Sequence, residues 1–554
     1  MHRNTTPLKA IAAGAAMLMA LTACGSDDGN QPTGVSDSAL AFDSAKYTTI
    51  NVTIDGVQVP VRWYREVCYV AKPTAVAATQ ATLGGSTTTI ANTACGYQSM
   101  NIFVPESAAA SNDTALYFAV NNGGWFASYI KASVTDGASF DSATSNVGAA
   151  LKAGYVFIDV ATRSRGLAAA DGSYPGKAPA PVVDAKAAIR YLRLNDARMP
   201  GSASRIVVNG TSGGGALSSI IGASGNSPDY LPYLAAVGAA GIDANGGSTL
   251  RDDVLAINAY CPITDLGNAD LHYEWLYTAF GTRAAVGRNP NPAGSAQLAA
   301  KFPAYQQGLK LTGSSGAALT ADNMMDQIRQ EVTRSAEVYM AAGGTIADLG
   351  EAMAYTSGAA TRTYTNDWID VDNATKKVVS LDMEKYLKFV ATQATLKAAP
   401  AFDQTGMTIT GASGESNLFG TASEKYSNFT EYGWDNNDVH GDGIGYDDTG
   451  ISASRHFGLV TTPVMAQVKL INPMAYIGTT ADTAPYWYVR HGTRDRDTAF
   501  TVSINLARAL QADTGVQEVN YRLAWNQPHA GNYDVPEAMA WIAQTLKAAA
   551  TKGL

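Results

Sequence analysis

Short, mostly apolar runs recur along the chain between polar, glycine-rich stretches. Asn101–Val104, Ala115–Val120 (ALYFAV), Tyr155–Val160 (YVFIDV), Arg205–Asn209 (RIVVN) and Val254–Tyr260 (VLAINAY) are too short for helices. They also lack the strict alternation of a half-exposed strand, so they predict strands buried on both faces. Ahead of them, Asn51–Ile54 and Val57–Tyr64 flank Asp55-Gly56, a turn dipeptide, and predict a hairpin. From Ala180 to about Arg198, Val182, Ala185, Ile189 and Leu192 recur at helical spacing, and Gly214–Ile221 predicts another helix. Buried strands alternating with helices predict a mainly parallel sheet flanked by helices, an α/β fold.

The rhythm stops between about Pro262 and Asn472. That stretch is more polar and is expected to be more helical, with Ala321–Met340 and Met383–Ala398 as its clearer helices. It also holds a Gly/Asp/Asn-rich patch from Asp435 to Asp448. The rhythm then resumes with strand Tyr486–Arg490, loop His491–Thr498, helix Ala499–Ala512, strand Val519–Trp525 and loop Asn526–Tyr533. A last helix follows, with Asp534 as the expected N-cap, Pro536 in its first turn, and Met539, Ile542 and Leu546 on one face. The expected organisation is a core in two parts, 43–262 and 471–554, split by an inserted lid or cap, 263–470.

The N-terminus changes the picture of where the chain works. Arg3 and Lys9 precede an apolar run, Ile11–Leu21, too short to span a bilayer comfortably, which ends in Leu21-Thr22-Ala23-Cys24. This resembles a bacterial lipobox. Residues 1–23 are therefore expected to be a lipoprotein signal peptide, and Cys24 the lipid-modified first residue. Residues 24–42 are expected to form a flexible tether. The implied setting is membrane-anchored, periplasmic or at the cell surface. In such an oxidising compartment Cys68 and Cys95 are expected to pair, while Cys261 is expected to be a buried free thiol.

Charged residues make up 16% and the formal charge is −9, which becomes −11 once Arg3 and Lys9 leave with the signal. An acidic chain without a basic stripe argues against nucleic acid as a partner.

Gly210-Thr211-Ser212-Gly213-Gly214 fits G-x-S-x-G and falls between a predicted strand and a predicted helix. That context gives the motif meaning, because a serine on a sharp strand-to-helix bend needs small neighbours. The helix N-terminus behind it favours developing negative charge. A serine nucleophile needs a base, and the base an orienting carboxylate. Of six histidines, His529 lies in the loop after the last strand, where the base is expected. His491 lies one strand earlier and reads as structural. The loop between them offers two acids, Asp495 and Asp497, one to orient His529 and the other to face substrate. Gly213 and Gly124, the latter in Asn122-Gly123-Gly124-Trp125, are the expected oxyanion donors.

The segments RIVVNGTSGGGALSSIIGASGNS, AYCPITDL, YEW, KAAPAFDQ, ESNLFG, INPMAYI, RHGTRDRDTAF and PHAGNYD resemble the bacterial tannases (tannin acyl hydrolases) of the α/β-hydrolase fold. The resemblance runs from about residue 47 to the C-terminus. It implies Ser212 as nucleophile, Asp495 as triad acid, His529 as base, and the insertion as a lid over the site. It also implies that Lys397, Glu415 and Asp497 bind the hydroxyls of a galloyl ring. The plainer alternative for Lys397 and Glu415 is an ion pair on the lid surface. The Cys68–Cys95 and Asp435–Asp448 segments look like additions to the family pattern. The second carries carboxylates at alternating positions but does not fit an EF-hand, so no metal is expected.

The sequence thus points to a lipid-anchored serine esterase acting on a small aromatic ester, with no cofactor. Alternatives are an esterase for another aromatic acid (feruloyl or benzoyl), a non-catalytic surface binding protein, or a peptidase of the same fold.

Overall fold

The computed structural model describes residues 33–130, 134–357, 360–407, 414–438 and 450–553. Cys24, the expected signal and residues 24–32 of the expected tether lie outside the described residues, as do residues 439–448 of the acidic patch. Residues 33–42 are no free tether, since Asp37–Leu40 form a 3-10 turn and Leu40 and Phe42 are buried against the core. Among the described residues no helix is long and apolar enough to cross a membrane.

Ten strands form one sheet. In chain order they are β1 (Thr48–Ile54), β2 (Val57–Cys68), β3 (Ser99–Pro105), β4 (Ala115–Val120), β5 (Ser139–Phe140), β6 (Val156–Val160), β7 (Ser202–Thr211), β8 (Ala256–Tyr260), β9 (Tyr486–Gly492) and β10 (Glu518–Ala524). Their spatial order is β10-β9-β8-β7-β4-β6-β3-β2-β1-β5. Strands β6, β4, β7, β8, β9 and β10 run parallel, while β3, β2 and β1 add an antiparallel flank. This is the α/β-hydrolase fold. Strands β8 and β9 are neighbours in the sheet, although more than 200 residues of sequence separate Tyr260 from Tyr486.

Strand β4 shows how the sequence builds the core. All six of its residues are buried. Leu116, Phe118 and Val120 point into one apolar layer, with Val182 and Ile189 of α1 (Ala180–Leu194) and Leu217 and Ile220 of α2 (Gly213–Ala223). Ala115, Tyr117 and Ala119 point into the other, with Trp541 and Ile542 of the last helix, Val535–Lys552. A period of two with both faces apolar is what a sheet sandwiched by helices requires.

The intervening segment departs from the sequence reading in two places. The helix expected over Met383–Ala398 ends at Thr392. The Thr392 hydroxyl and the Gln393 amide both donate to the Phe389 carbonyl and close its last turn. The chain then runs irregularly to Pro400, whose ring disfavours helix at the residue before it. The segment also contains two antiparallel hairpins, Ala352–Ser357 with Ala360–Thr365 and Ile369–Asp372 with Lys377–Leu381. Strand Ala360–Thr365 is almost wholly exposed, so no buried face betrays it in the sequence. Asp534 stands at the N-cap position of the last helix but does not cap it. Its carboxylate instead accepts from the Tyr260 and Tyr488 hydroxyls, each at 2.6 Å, and from Arg490 Nε at 3.2 Å. Cys68 and Cys95 form a disulfide, and Cys261 is free and buried.

Candidate active site

Strand β7 runs straight into the bend at Ser212, where φ is 62° and ψ −121°. A positive φ at a residue with a Cβ costs about 1–3 kcal/mol and needs support from its surroundings. Support comes from three backbone bonds: Ser212 N–H to the Tyr260 carbonyl at 2.9 Å, and Ser212 O from Ala216 N–H at 2.9 Å and Ile263 N–H at 3.2 Å. Ser212 occupies the N-cap position of α2, yet its hydroxyl makes no capping bond. A Cβ on Gly213 would collide with the Asn122 carbonyl oxygen and the Trp125 nitrogen, so the bend lies backbone-to-backbone against the loop after β4. Glycine at 213 is thus a steric requirement.

The Ser212 hydroxyl instead meets His529 Nε2 at 2.8 Å, and His529 Nδ1 meets Asp495 Oδ2 at 2.7 Å. The three come from the loops after β7, β10 and β9, at the carboxyl ends of parallel strands. The loops carrying the acid and the imidazole are joined by Thr493 N–H to Ala524 O at 2.9 Å, Arg494 N–H to Gln527 O at 3.0 Å, and Asn526 N–H to the Thr493 hydroxyl at 2.8 Å. Asp495 is fully buried, and its second oxygen accepts the Asp497 N–H at 2.7 Å. Burial alone would raise the Asp495 pKa; the His529 and His491 side chains outweigh it and hold the carboxyl well below its usual range. Burial pulls His529 down, and Asp495 outweighs it, so the imidazole is more basic than an ordinary histidine.

In the loop after β4, Gly124 adopts φ 55° and ψ 26°, a left-handed conformation that glycine accepts readily. The N–H groups of Gly123, Trp125 and Phe126 bond to Asn121 O, Asn122 O and Gly123 O respectively. Among the described residues no acceptor engages the N–H of Gly124 or of Gly213. The loop is fixed from below: Asn122 Nδ2 donates to Phe126 O at 2.9 Å and Thr162 Oγ1 at 2.8 Å, and Trp125 Nε1 donates to Ile263 O at 3.2 Å.

Lys397 and Glu415 meet on Phe402. Lys397 Nζ lies 3.9 Å from the centre of the Phe402 ring, and Glu415 N–H donates to the Phe402 carbonyl at 3.0 Å. The two do not pair with each other among the described residues; Glu415 faces Arg165 Nη2 at 3.7 Å, and both side chains are buried. The alternative of a surface ion pair is therefore replaced by a buried pair with a different cation. Asp497, one residue past Arg496 and paired with it, is half-buried. The Tyr273 hydroxyl accepts the Lys397 N–H at 3.2 Å and feels the charges of Arg496 and Asp497, which links this acid to the Lys397 side.

Three further residues border the site. His491 Nε2 lies 3.2 Å from Asp495 Oδ2, and its Nδ1 lies 2.7 Å from the Ser503 hydroxyl. The Ser503 hydroxyl also donates to the Phe500 carbonyl at 3.1 Å, which fixes it beside the ring. The only hint in sequence is the four-residue spacing to Asp495 within one loop. Arg165 stacks 4.4 Å from the Phe126 ring and donates to Gly414 O, joining the loop after β6 to the Glu415 segment. Nothing local in the sequence marks it. Cys261 Sγ donates to Ala530 O at 3.1 Å, and ligand atoms of Cys261, Asp495 and His529 lie within 4.8 Å of one another. Burial raises the thiol pKa and so favours its neutral form. Hydrogen bonds already account for all three groups, so the cluster reads as part of the His529 setting rather than a metal centre.

Comparison with known proteins points to one family of ester hydrolases. A family profile described as BD-FAE matches residues 100–272. No curated protein sequence matches the chain. Among solved structures, the tannin acyl hydrolase from Lactobacillus plantarum is similar at 30% identity and a TM-score of 0.68, covering 92% of this chain and 99% of that one. The Fusobacterium nucleatum tannase is similar at 30% identity and a TM-score of 0.68, with coverage of 92% and 99%. A tannin acyl hydrolase in complex with ethyl gallate is similar at 30% identity, with a TM-score of 0.67 and coverage of 92% and 99%.

Proposed function

The chain belongs to the tannase family of carboxylic ester hydrolases, and from that premise we propose that it hydrolyses galloyl esters through Ser212, His529 and Asp495. The observation that carries this reading is the hydrogen-bonded row from Ser212 to His529 at 2.8 Å and on to Asp495 at 2.7 Å.

Ser212 Oγ attacks the ester carbonyl while His529 Nε2 takes its proton. Asp495 keeps the proton-bearing Nδ1 aimed at itself and stabilises the imidazolium. The N–H groups of Gly213 and Gly124 receive the oxyanion. Collapse expels the alcohol, which takes the proton from His529 and leaves a galloyl ester on Ser212. Water then attacks, His529 takes its proton, and the acid leaves with Ser212 restored.

Lys397, Glu415 and Asp497 would hold the ring hydroxyls, the lysine as donor and the carboxylates as acceptors. Relatives with structures in complex with ethyl gallate and 3,4-dihydroxybenzoate support a hydroxylated aromatic acid as the acyl part. A site that pairs hydroxyls rejects an analogue lacking them, because its own buried polar groups are left unpaired. The Cys68–Cys95 disulfide supports an oxidising setting for the enzyme.

The test compares acid release from methyl gallate and methyl ferulate. Strong preference for gallate supports the reading; equal or better hydrolysis of ferulate contradicts its galloyl part and leaves the esterase part standing.

A further inference from the structure

The residues enclosed by the Cys68–Cys95 disulfide form a small hairpin, Thr79–Ala81 paired with Thr87–Thr89. Its tip is ordered: Thr82 N–H donates to Ser86 O at 2.8 Å, and the two hydroxyls meet at 2.6 Å. Its root is tied to the loop after β6. Gln80, almost fully buried, donates to Ala168 O at 2.8 Å and accepts from Ala168 N–H at 2.9 Å. Beneath it, Val76 and Ile90 pack with Tyr97 and Leu167, and Ala127 and Tyr129 of the chain that leaves the oxyanion loop join them.

The hairpin carries one large apolar side chain into solvent. Leu83 is 54% exposed. Its two methyl carbons lie 3.2 Å and 3.3 Å from where a Cβ would stand on Gly124 and on Gly123. An exposed leucine therefore rests against the bare glycine backbone that would receive the carbonyl oxygen. Arg165 approaches the same Gly124 position at 3.4 Å, and behind it lies Glu415. An ester whose oxygen sits at Gly124 has two substituents to place. The Arg165–Glu415 pair is polar and buried, whereas Leu83 is apolar and open to solvent; with the acid held beside Glu415, the alcohol is left to the Leu83 side.

We propose that the disulfide-closed hairpin is a specificity element in which Leu83 contacts the alcohol part of the ester and favours apolar, especially aromatic, alcohols. Leucine on glycine backbone forms a flat apolar ledge that suits a ring or alkyl chain and gives a sugar hydroxyl no partner. The inference rests on the ester-hydrolase reading of Ser212 and Gly124, with the acid placed on the Glu415 side.

The experiment measures kcat/KM for the methyl and benzyl esters of gallate and of 4-hydroxybenzoate, with the whole protein, its Leu83→Ala variant and its Leu83→Met variant. The expected result is a benzyl-to-methyl ratio about tenfold lower in Leu83→Ala, carried mainly by KM, and restored in Leu83→Met. An unchanged ratio overturns the proposal. So does an equal loss on methyl and benzyl esters, which would make Leu83 a prop for the oxyanion loop. A shift in the gallate-to-hydroxybenzoate ratio instead would put Leu83 on the acid side and also overturn it. The galloyl reading fails separately, in the wild-type preference between the two acids.

Discussion

The row of Ser212, His529 and Asp495 and the polar group around Phe402 rest on different kinds of support. Each member of the row stands one to five residues beyond the end of a parallel strand. Adjacent loops are stitched by main-chain bonds, so the register of β7, β9 and β10 fixes the spacing of the three side chains. Lys397 and Glu415 lie on irregular chain of the intervening segment. They are held by buried side-chain contacts: Phe402 N–H on Asp270 at 2.7 Å, Ser416 on Asp403 at 3.0 Å, and Glu415 against Arg165. The first region is placed by the sheet, the second by a handful of buried polar groups. The contrast suggests that chemistry here is robust to change in the insertion, while selectivity is not.

The largest expected effect tests the first region. Asp495→Asn should keep the fold and lower kcat by about 10⁴-fold, because the amide presents the wrong hydrogen-bonding partner to Nδ1. The same change should move the acidic limb of the kcat/KM profile. The base works unprotonated, so activity falls as pH drops through the His529 pKa. Asp495 holds that pKa above the ordinary 6.5, and removing its charge should shift the limb to lower pH. A limb that stays in place would separate Asp495 from His529.

A smaller effect is expected in the second region. Lys397→Met should lower kcat/KM for methyl gallate by about 10- to 100-fold and leave methyl benzoate, which has no ring hydroxyl, within a few-fold. Equal loss on both esters would mean that Lys397 supports the fold of the Phe402 segment instead of reading the ring.

The smallest effect concerns the support beneath that segment. Burial first, and then the neighbouring Asp403 carboxylate, push the Asp270 pKa from 3.8 up to about 8. The unfolded chain ionises Asp270 at its ordinary value. Its contribution to stability is therefore full below pH 3.8 and is lost as pH rises toward 8. Asp270→Asn, which cannot ionise, should lose less Tm between pH 5 and pH 8 than the wild type does. Parallel Tm profiles would show that Asp270 is not the group responsible.

Ser212 and His529 were legible in the sequence because local signals mark them: a strand, a crowd of small residues and a helix around one, and the last loop before the last helix around the other. The choice between Asp495 and Asp497 was open on residue spacing, since two acids two apart look equivalent in an extended loop. Burial separates them, because Asp495 is enclosed against two imidazoles while Asp497 reaches the half-open side. Arg165 and Leu83 were not legible. Each acts across more than forty residues of sequence, on a glycine loop whose neighbours only the folded chain defines. The first hairpin of the intervening segment escaped for the opposite reason: its strand Ala360–Thr365 is exposed and has no buried stripe to give it a period.

The central claim is that Ser212 carries the acyl group of the substrate. The direct measurement is the intact mass of the protein quenched during turnover of methyl gallate, followed by peptide mapping. The account predicts one galloyl adduct on the peptide containing Ser212, and neither adduct nor hydrolysis in Ser212→Ala. An adduct on another residue, or hydrolysis that survives in Ser212→Ala, would contradict it.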